Sequence, residues 1–125
     1  MKINPDLFYT EQHLWVKPVD GGQWLAGITD YAQDLLGDIV FVEAPKIGSD
    51  IVFGDPCGLV ESVKTGSDLH APITGKVTEI NPAVLDTPEL INDKPYDAWI
   101  FKVSAEEAPN TLMGASEYQD FLNKS

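Results

Sequence analysis

The sequence predicts a mainly β protein with a few short helices, folded as a sandwich or barrel. Three observations predict it. Short apolar, β-branched and aromatic runs recur along the 125 residues. Clusters of Gly, Pro, Asp and Asn separate them at intervals typical of strand-turn-strand chains. Helical patterning is confined to three short segments. The length suits one domain, and 43% hydrophobic residues suffice for a modest core.

In chain order, strands are expected near residues 7–9, 13–17, 23–28, 38–44, 57–63, 75–80 and 98–103. Turns fall at Asp20-Gly21-Gly22, from Pro45 to Ser49, at Gly54-Asp55-Pro56 and at Asn81-Pro82. Thr29 or Asp30 can N-cap a short helix through Leu36, and Gly37 stops it. A second short helix is expected over residues 88–92. A third, from about Ser116 to Leu122, puts Tyr118, Phe121 and Leu122 on one face and reads as a strap across the sheet.

One stretch stands apart. Lys64 lies between two apolar strand-like runs, followed by Thr65-Gly66-Ser67-Asp68, which has turn composition. Lys64 is therefore expected at or beside a hairpin tip, projecting into water, with Glu61 and Asp68 as an acidic frame. An amine held out on a stiff ribbon suits covalent modification better than catalysis.

Twenty acidic residues face eight lysines and no arginine, a formal net charge of −12. That charge opposes binding to nucleic acid or anionic lipid, whose affinity comes from cations on phosphates. It favours solubility and encounter with basic partner surfaces. No apolar run approaches the ~20 residues of a membrane span. Residues Met1 to Asp6 lack the apolar core of a signal peptide. The single cysteine, Cys57, excludes an intrachain disulfide. A cytoplasmic setting is the simplest expectation.

Glu61-Ser62-Val63-Lys64 followed by Ser67-Asp68 resembles the lipoylation site of the glycine cleavage system H protein family. The likeness extends to Tyr9-Thr10, His13-Leu14-Trp15-Val16, residues 27–33, residues 36–43, Ala71-Pro72, residues 88–92, Pro95-Tyr96 and Glu117-Tyr118. It covers roughly residues 7–122. It implies a single lipoyl-carrier domain over 1–125, with the lysine hairpin at about 60–70. It also implies a barrel-sandwich hybrid of the lipoyl/biotinyl-like kind, with flanking N- and C-terminal elements. Biotinyl domains bracket their lysine with methionines, and 2-oxoacid dehydrogenase lipoyl domains place Asp before and Ala after it. Val63-Lys64-Thr65 fits neither.

The resemblance implies that Lys64 carries lipoic acid in amide linkage. Stem plus lipoyl chain has about a dozen bonds of ~1.5 Å, a reach on the order of 10–15 Å. The protein would position the arm and not catalyse turnover itself. Lipoate ligase or lipoyl transferase, partner enzymes and dihydrolipoamide dehydrogenase are the implied partners. Glu61 and Asp68 are candidate recognition groups for the ligase.

The sequence departs from the family around the presumed arm cleft. Leu14 stands where the family reads Glu, an acid associated with holding the aminomethyl-loaded arm. His70 replaces a usual Tyr, and Asp97-Ala98-Trp99 shortens a Gly-containing insert. Loss of a cargo-specific charge inclines the reading toward an H-like lipoate-binding protein of heterodisulfide-reductase-like sulfur oxidation. The alternative is a glycine cleavage H protein carrying the aminomethyl group from glycine decarboxylase to aminomethyltransferase. An unmodified scaffold or interaction module is the alternative of another class, and a small enzyme a third.

The remaining candidates read as structural. His13 and His70 are the only histidines, and neither has metal-ligand spacing to Cys or carboxylate. His13 is expected to pack or bond locally on its strand, and His70 to be a surface residue near the arm. Cys57 reads as a buried, inert residue. The tryptophans fit core packing, and Gly21, Gly22, Gly54 and Gly75 read as turn residues.

Overall fold

The computed structural model describes residues 2–124. Among the described residues there are nine strands and four short helices. The strands are β1 (Phe8–Tyr9), β2 (Leu14–Val19), β3 (Gln23–Ile28), β4 (Ile39–Glu43), β5 (Asp50–Ile51), β6 (Pro56–Ser62), β7 (Gly66–His70), β8 (Gly75–Ile80) and β9 (Phe101–Ser104). They form two antiparallel sheets, one of six strands in the order β1-β2-β3-β9-β8-β5 and one of three, β4-β6-β7. The helices complete the fold: α1 (Asp30–Leu36), α2 (Pro82–Asp86), α3 (Leu90–Asp93) and α4 (Ala115–Asn123). This is the mainly β, sandwich-like architecture that the turn spacing predicts.

The main core lies between the sheets. Val16, Ala26, Val77 and Phe101 of the larger sheet join Val42, Val60 and Leu69 of the smaller one. Strand alternation sends Leu14 and Val16 into this core and Trp15 to the opposite face. There Trp15 meets Leu7, Tyr9 and Tyr118 in a second cluster. Helix α4 supplies Tyr118, so it is the strap the sequence predicts. Its N-terminus is closed by the Glu117 carboxylate, which accepts from the Gly114 N–H at 3.2 Å.

Local expectations differ from the fold in four places. Asn81-Pro82 opens α2 instead of a bare turn, because Asn81 caps the helix and Pro82 occupies its first turn. The polar segment Gly66–His70 is a full strand, organised by five pairings with β6. Strand β5 has only two residues, between two segments read as turns where no strand was expected, and depends on β8 for its pairing. Gly75 begins a strand instead of a turn. It faces Ser104 so closely that a Cβ would run into the Ser104 carbonyl oxygen.

Candidate functional site: the Lys64 hairpin

Strands β6 and β7 are joined by residues 63–65, with Glu61 opposite Gly66 and Val60 opposite Ser67. Ser62 organises the connection. Its N–H donates to the Thr65 carbonyl at 2.7 Å. Its Oγ accepts from the N–H groups of Lys64 and Thr65, both at 3.1 Å, and donates to the Thr65 carbonyl at 3.1 Å. The Val63 N–H donates to the Asp38 carbonyl at 3.0 Å, tying the tip to the chain entering β4. A short serine hydroxyl can serve several tip groups at once, which larger side chains cannot. The tip is therefore stiff on both sides of Lys64.

Lys64 is exposed, as expected. Its direction is not the expected one. The side chain lies back over the end of α1, and Nζ donates to the Leu35 carbonyl at 3.1 Å. Two aliphatic side chains beside Lys64 are exposed: Leu35, whose carbonyl the amine meets, by 56% and the chain neighbour Val63 by 67%. Exposed aliphatic groups around an amine suit an aliphatic chain laid across them.

The other candidates separate. Glu61 and Asp68 are exposed, Glu61 on β6 and Asp68 on β7 opposite Leu59. The ion pairs among the described residues are Lys76–Asp50 and Lys102–Glu79, so neither acid pairs with Lys64. Asp68 instead borders a cleft between the sheets, with Leu14, Ala32, Leu36 and Val60 also lining it. The cleft measures about 30 Å³, room for a water molecule or two at about 10–15 Å³ each. A dithiolane ring enters only if it widens. The structure thus brings Leu14 and Asp68 to one cleft. His70 ends β7, opposite Pro56, on the order of 13 Å along the strand from Gly66 at 3.3 Å per residue. It is half-buried and remote from the tip.

Two further readings change. His13 has φ 67°, just ahead of β2. Its Nδ1 lies 2.8 Å from the Tyr118 hydroxyl, 105 residues away. Its partner is therefore not local. Cys57 is only partly buried, and burial pushes its thiol up to about 11. That keeps it a thiol at neutral pH, and so a poor nucleophile.

Known proteins resemble this chain along nearly its whole length. The profile of the family described as Glycine cleavage H-protein matches residues 7–125. The chain belongs to the glycine cleavage H-protein family. It is 64% identical to the glycine cleavage system H protein of Methylobacillus flagellatus, over 98% of this chain and 99% of that one. It is 52% identical to that of Listeria welshimeri, over 98% and 100%. The crystal structure of a glycine cleavage system H protein from Mycobacterium marinum superposes with a TM-score of 0.88. It is 38% identical and covers 98% of this chain and 100% of that one.

The H-protein fold is a barrel-sandwich hybrid, so that expectation holds. H proteins are non-catalytic carriers within a multienzyme system, as the resemblance implies. The inclination toward sulfur oxidation finds no support, since the relatives are named for glycine cleavage. Leu14, on which it rested, is 1% exposed and part of the main core. An apolar side chain there serves packing whatever the cargo. No helix among the described residues is long and apolar enough to cross a membrane.

Proposed function

We propose that this chain is the lipoyl carrier of a glycine cleavage system. Lys64 carries lipoic acid in amide linkage, and the arm bears the aminomethyl group from glycine decarboxylase to aminomethyltransferase. The observation that carries this reading is the lysine itself. It is exposed at a tip braced by Ser62, free of ion pairs among the described residues, and set beside the exposed Leu35 and Val63. The residues fit the group: an acyl chain on Nζ starts beside the exposed Leu35 and Val63 and displaces no salt bridge among the described residues.

When bound, lipoic acid supplies a disulfide that accepts or releases a group at sulfur and changes redox state. The chain does the rest. Ser62 and the β6–β7 pairing hold the attachment point at a fixed place on a rigid ribbon. Tethering raises the effective concentration of the reactive group at each docked partner. Glu61 and Asp68 offer charge to a basic ligase surface, which must remove a proton from Nζ for the amide to form. Lipoate ligase or lipoyl transferase and dihydrolipoamide dehydrogenase complete the set of partners, in the cytoplasm.

Intact-mass spectrometry of the protein from its native host tests attachment. The expected result is one added lipoyl mass, localised to Lys64 by peptide mapping. A bare Lys64 in growing cells overturns the reading. Reconstitution with glycine decarboxylase and aminomethyltransferase tests the cargo, with turnover expected for the lipoylated protein and none for Lys64→Ala.

A further inference from the structure

Lys64 belongs to one hairpin, but its amine ends on a different element. The Leu35 carbonyl that receives Nζ lies in the last turn of α1, where helix carbonyls lack intrahelical partners. The lysine stem crosses Gly37. A Cβ built there would stand 3.1 Å from Lys64 Cε and 3.7 Å from Nζ. Gly37 also has φ 82°, a conformation that side chains disfavour.

This turn is held from outside the hairpin. Asn92 of α3 donates through Nδ2 to the Gly37 carbonyl and to Gln33 Oε1, each at 2.9 Å. Its Oδ1 accepts from the Ile39 N–H at 2.8 Å. One amide thus fixes the chain on both sides of the seat against which the lysine rests.

We propose that the α1 C-terminal turn is the seat of the arm's root: the Leu35 carbonyl holds an Nζ–H of Lys64 before and after acylation, with Gly37 and Asn92 as positioning residues. This rests on the reading that Lys64 is acylated. Acylation joins Nζ to the acyl carbon, expels the leaving group from that carbon and releases two protons from the ammonium. One N–H remains, and one donor is all that the Leu35 carbonyl needs. The positive charge is lost and the hydrogen bond is kept. The seated amide starts the arm along α1, whose Ala32 and Leu36 line the inter-sheet cleft with Leu14 and Asp68. The arm therefore leaves the protein beside that cleft, and a docking partner must unseat its root to use the full reach.

The test uses the full chain with Nζ-¹⁵N-labelled Nε-acetyllysine installed at position 64 during translation. The acetyl amide has the same single N–H and needs no ligase. Failure here is thus distinguishable from failure of lipoylation, which host mass spectrometry decides. Hydrogen exchange of that amide is compared with the same residue in an unstructured peptide of residues 60–68. The expected slowing is about fivefold or more, the order of one net hydrogen bond, with NMR cross-peaks to Leu36 and Gly37. Asn92→Ala is expected to return exchange to within about twofold of the peptide rate while the backbone spectrum stays folded. Exchange at the peptide rate in the otherwise unaltered chain overturns the seat. Undiminished protection in folded Asn92→Ala overturns the role of Asn92. If that variant does not fold, the presence or absence of the cross-peaks decides.

Discussion

At the scale of single residues, the tip depends on Ser62 more than on the lysine it presents. One hydroxyl bonds three backbone groups of residues 64 and 65. Ser62→Ala removes all three side-chain contacts but leaves the groups in water, so its cost to global stability is small, about 1 kcal/mol. The expected effect on modification is larger, because a ligase reads a shaped tip and must order a loosened one before acylation. Lipoylation of the variant by a purified ligase should slow about fivefold or more, with the urea midpoint little changed. Equal lipoylation rates would show that Ser62 is not needed to shape the tip. The lysine was legible in the sequence because its hairpin is local, whereas Ser62 stood there only as part of the motif and its role as brace appears in the fold. The Leu35 acceptor was not legible, because a backbone carbonyl has no sequence signature and α1 lies 29 residues away from the amine. The bond between His13 and Tyr118 spans 105 residues and was hidden for the same reason.

At the scale of elements, α4 is held to the sheet by a chain of hydrogen bonds that runs through Thr29, Tyr118 and His13. Thr29 is fully buried. Its Oγ1 accepts from the Ala32 N–H at 3.2 Å and lies 2.9 Å from the Tyr118 hydroxyl. The Tyr118 hydroxyl thus bridges Thr29 Oγ1 and His13 Nδ1, and a neutral imidazole serves this chain in either tautomer. The ring of Tyr118 also stacks on Tyr9 at 4.5 Å. Facing the imidazole are Tyr31 of α1, at 4.6 Å, and Tyr118 and Phe121 of α4. Burial lowers His13 from its ordinary value of 6.5. The unfolded chain therefore takes up this proton before the folded one does. The stabilising contribution is whole above pH 6.5 and declines as pH falls below it. Asn tolerates the positive φ of residue 13 and does not titrate. Between pH 7.5 and 5.5 the natural chain should lose more unfolding free energy than His13→Asn, measured by urea titration. Equal losses would show that the latch does not respond to protons. The existence of α4 was readable from its apolar spacing, and the cap of α1 from Thr29. Strand β7 was obscured because Gly66, Ser67 and Asp68 have turn chemistry, and only the pairing with β6 makes them extended.

At the scale of the whole molecule, strand order and charge act together. Strand β9 comes last among the strands yet sits between β3 and β8. No local periodicity encodes that insertion: the turn spacing predicts a β sandwich or barrel, and the barrel-sandwich hybrid was legible only through the family likeness. The resulting small body has a radius of gyration of about 14 Å and carries a formal net charge of −12. Among the described residues the acids find only two ion pairs, Lys76–Asp50 and Lys102–Glu79. Most acids therefore feel mainly other acids. At about 10 mM salt the screening length is ~30 Å, wider than the molecule's radius, and repulsion acts across the whole fold. At about 150 mM it is ~8 Å, and only near neighbours interact. Unfolding spreads the charges apart, so repulsion penalises the folded state more. Screening should then stabilise this protein, against a small loss from two surface pairs worth about 1 kcal/mol or less each. Thermal melts in about 10 and 150 mM NaCl should show Tm rising by roughly 4 °C, the shift that about 1 kcal/mol produces at this size. A parallel series in KCl should give the same rise, since screening depends on ionic strength and not on the cation. A Tm that falls with salt would mean that the acidic surface is held by attractive pairs that outweigh its repulsion.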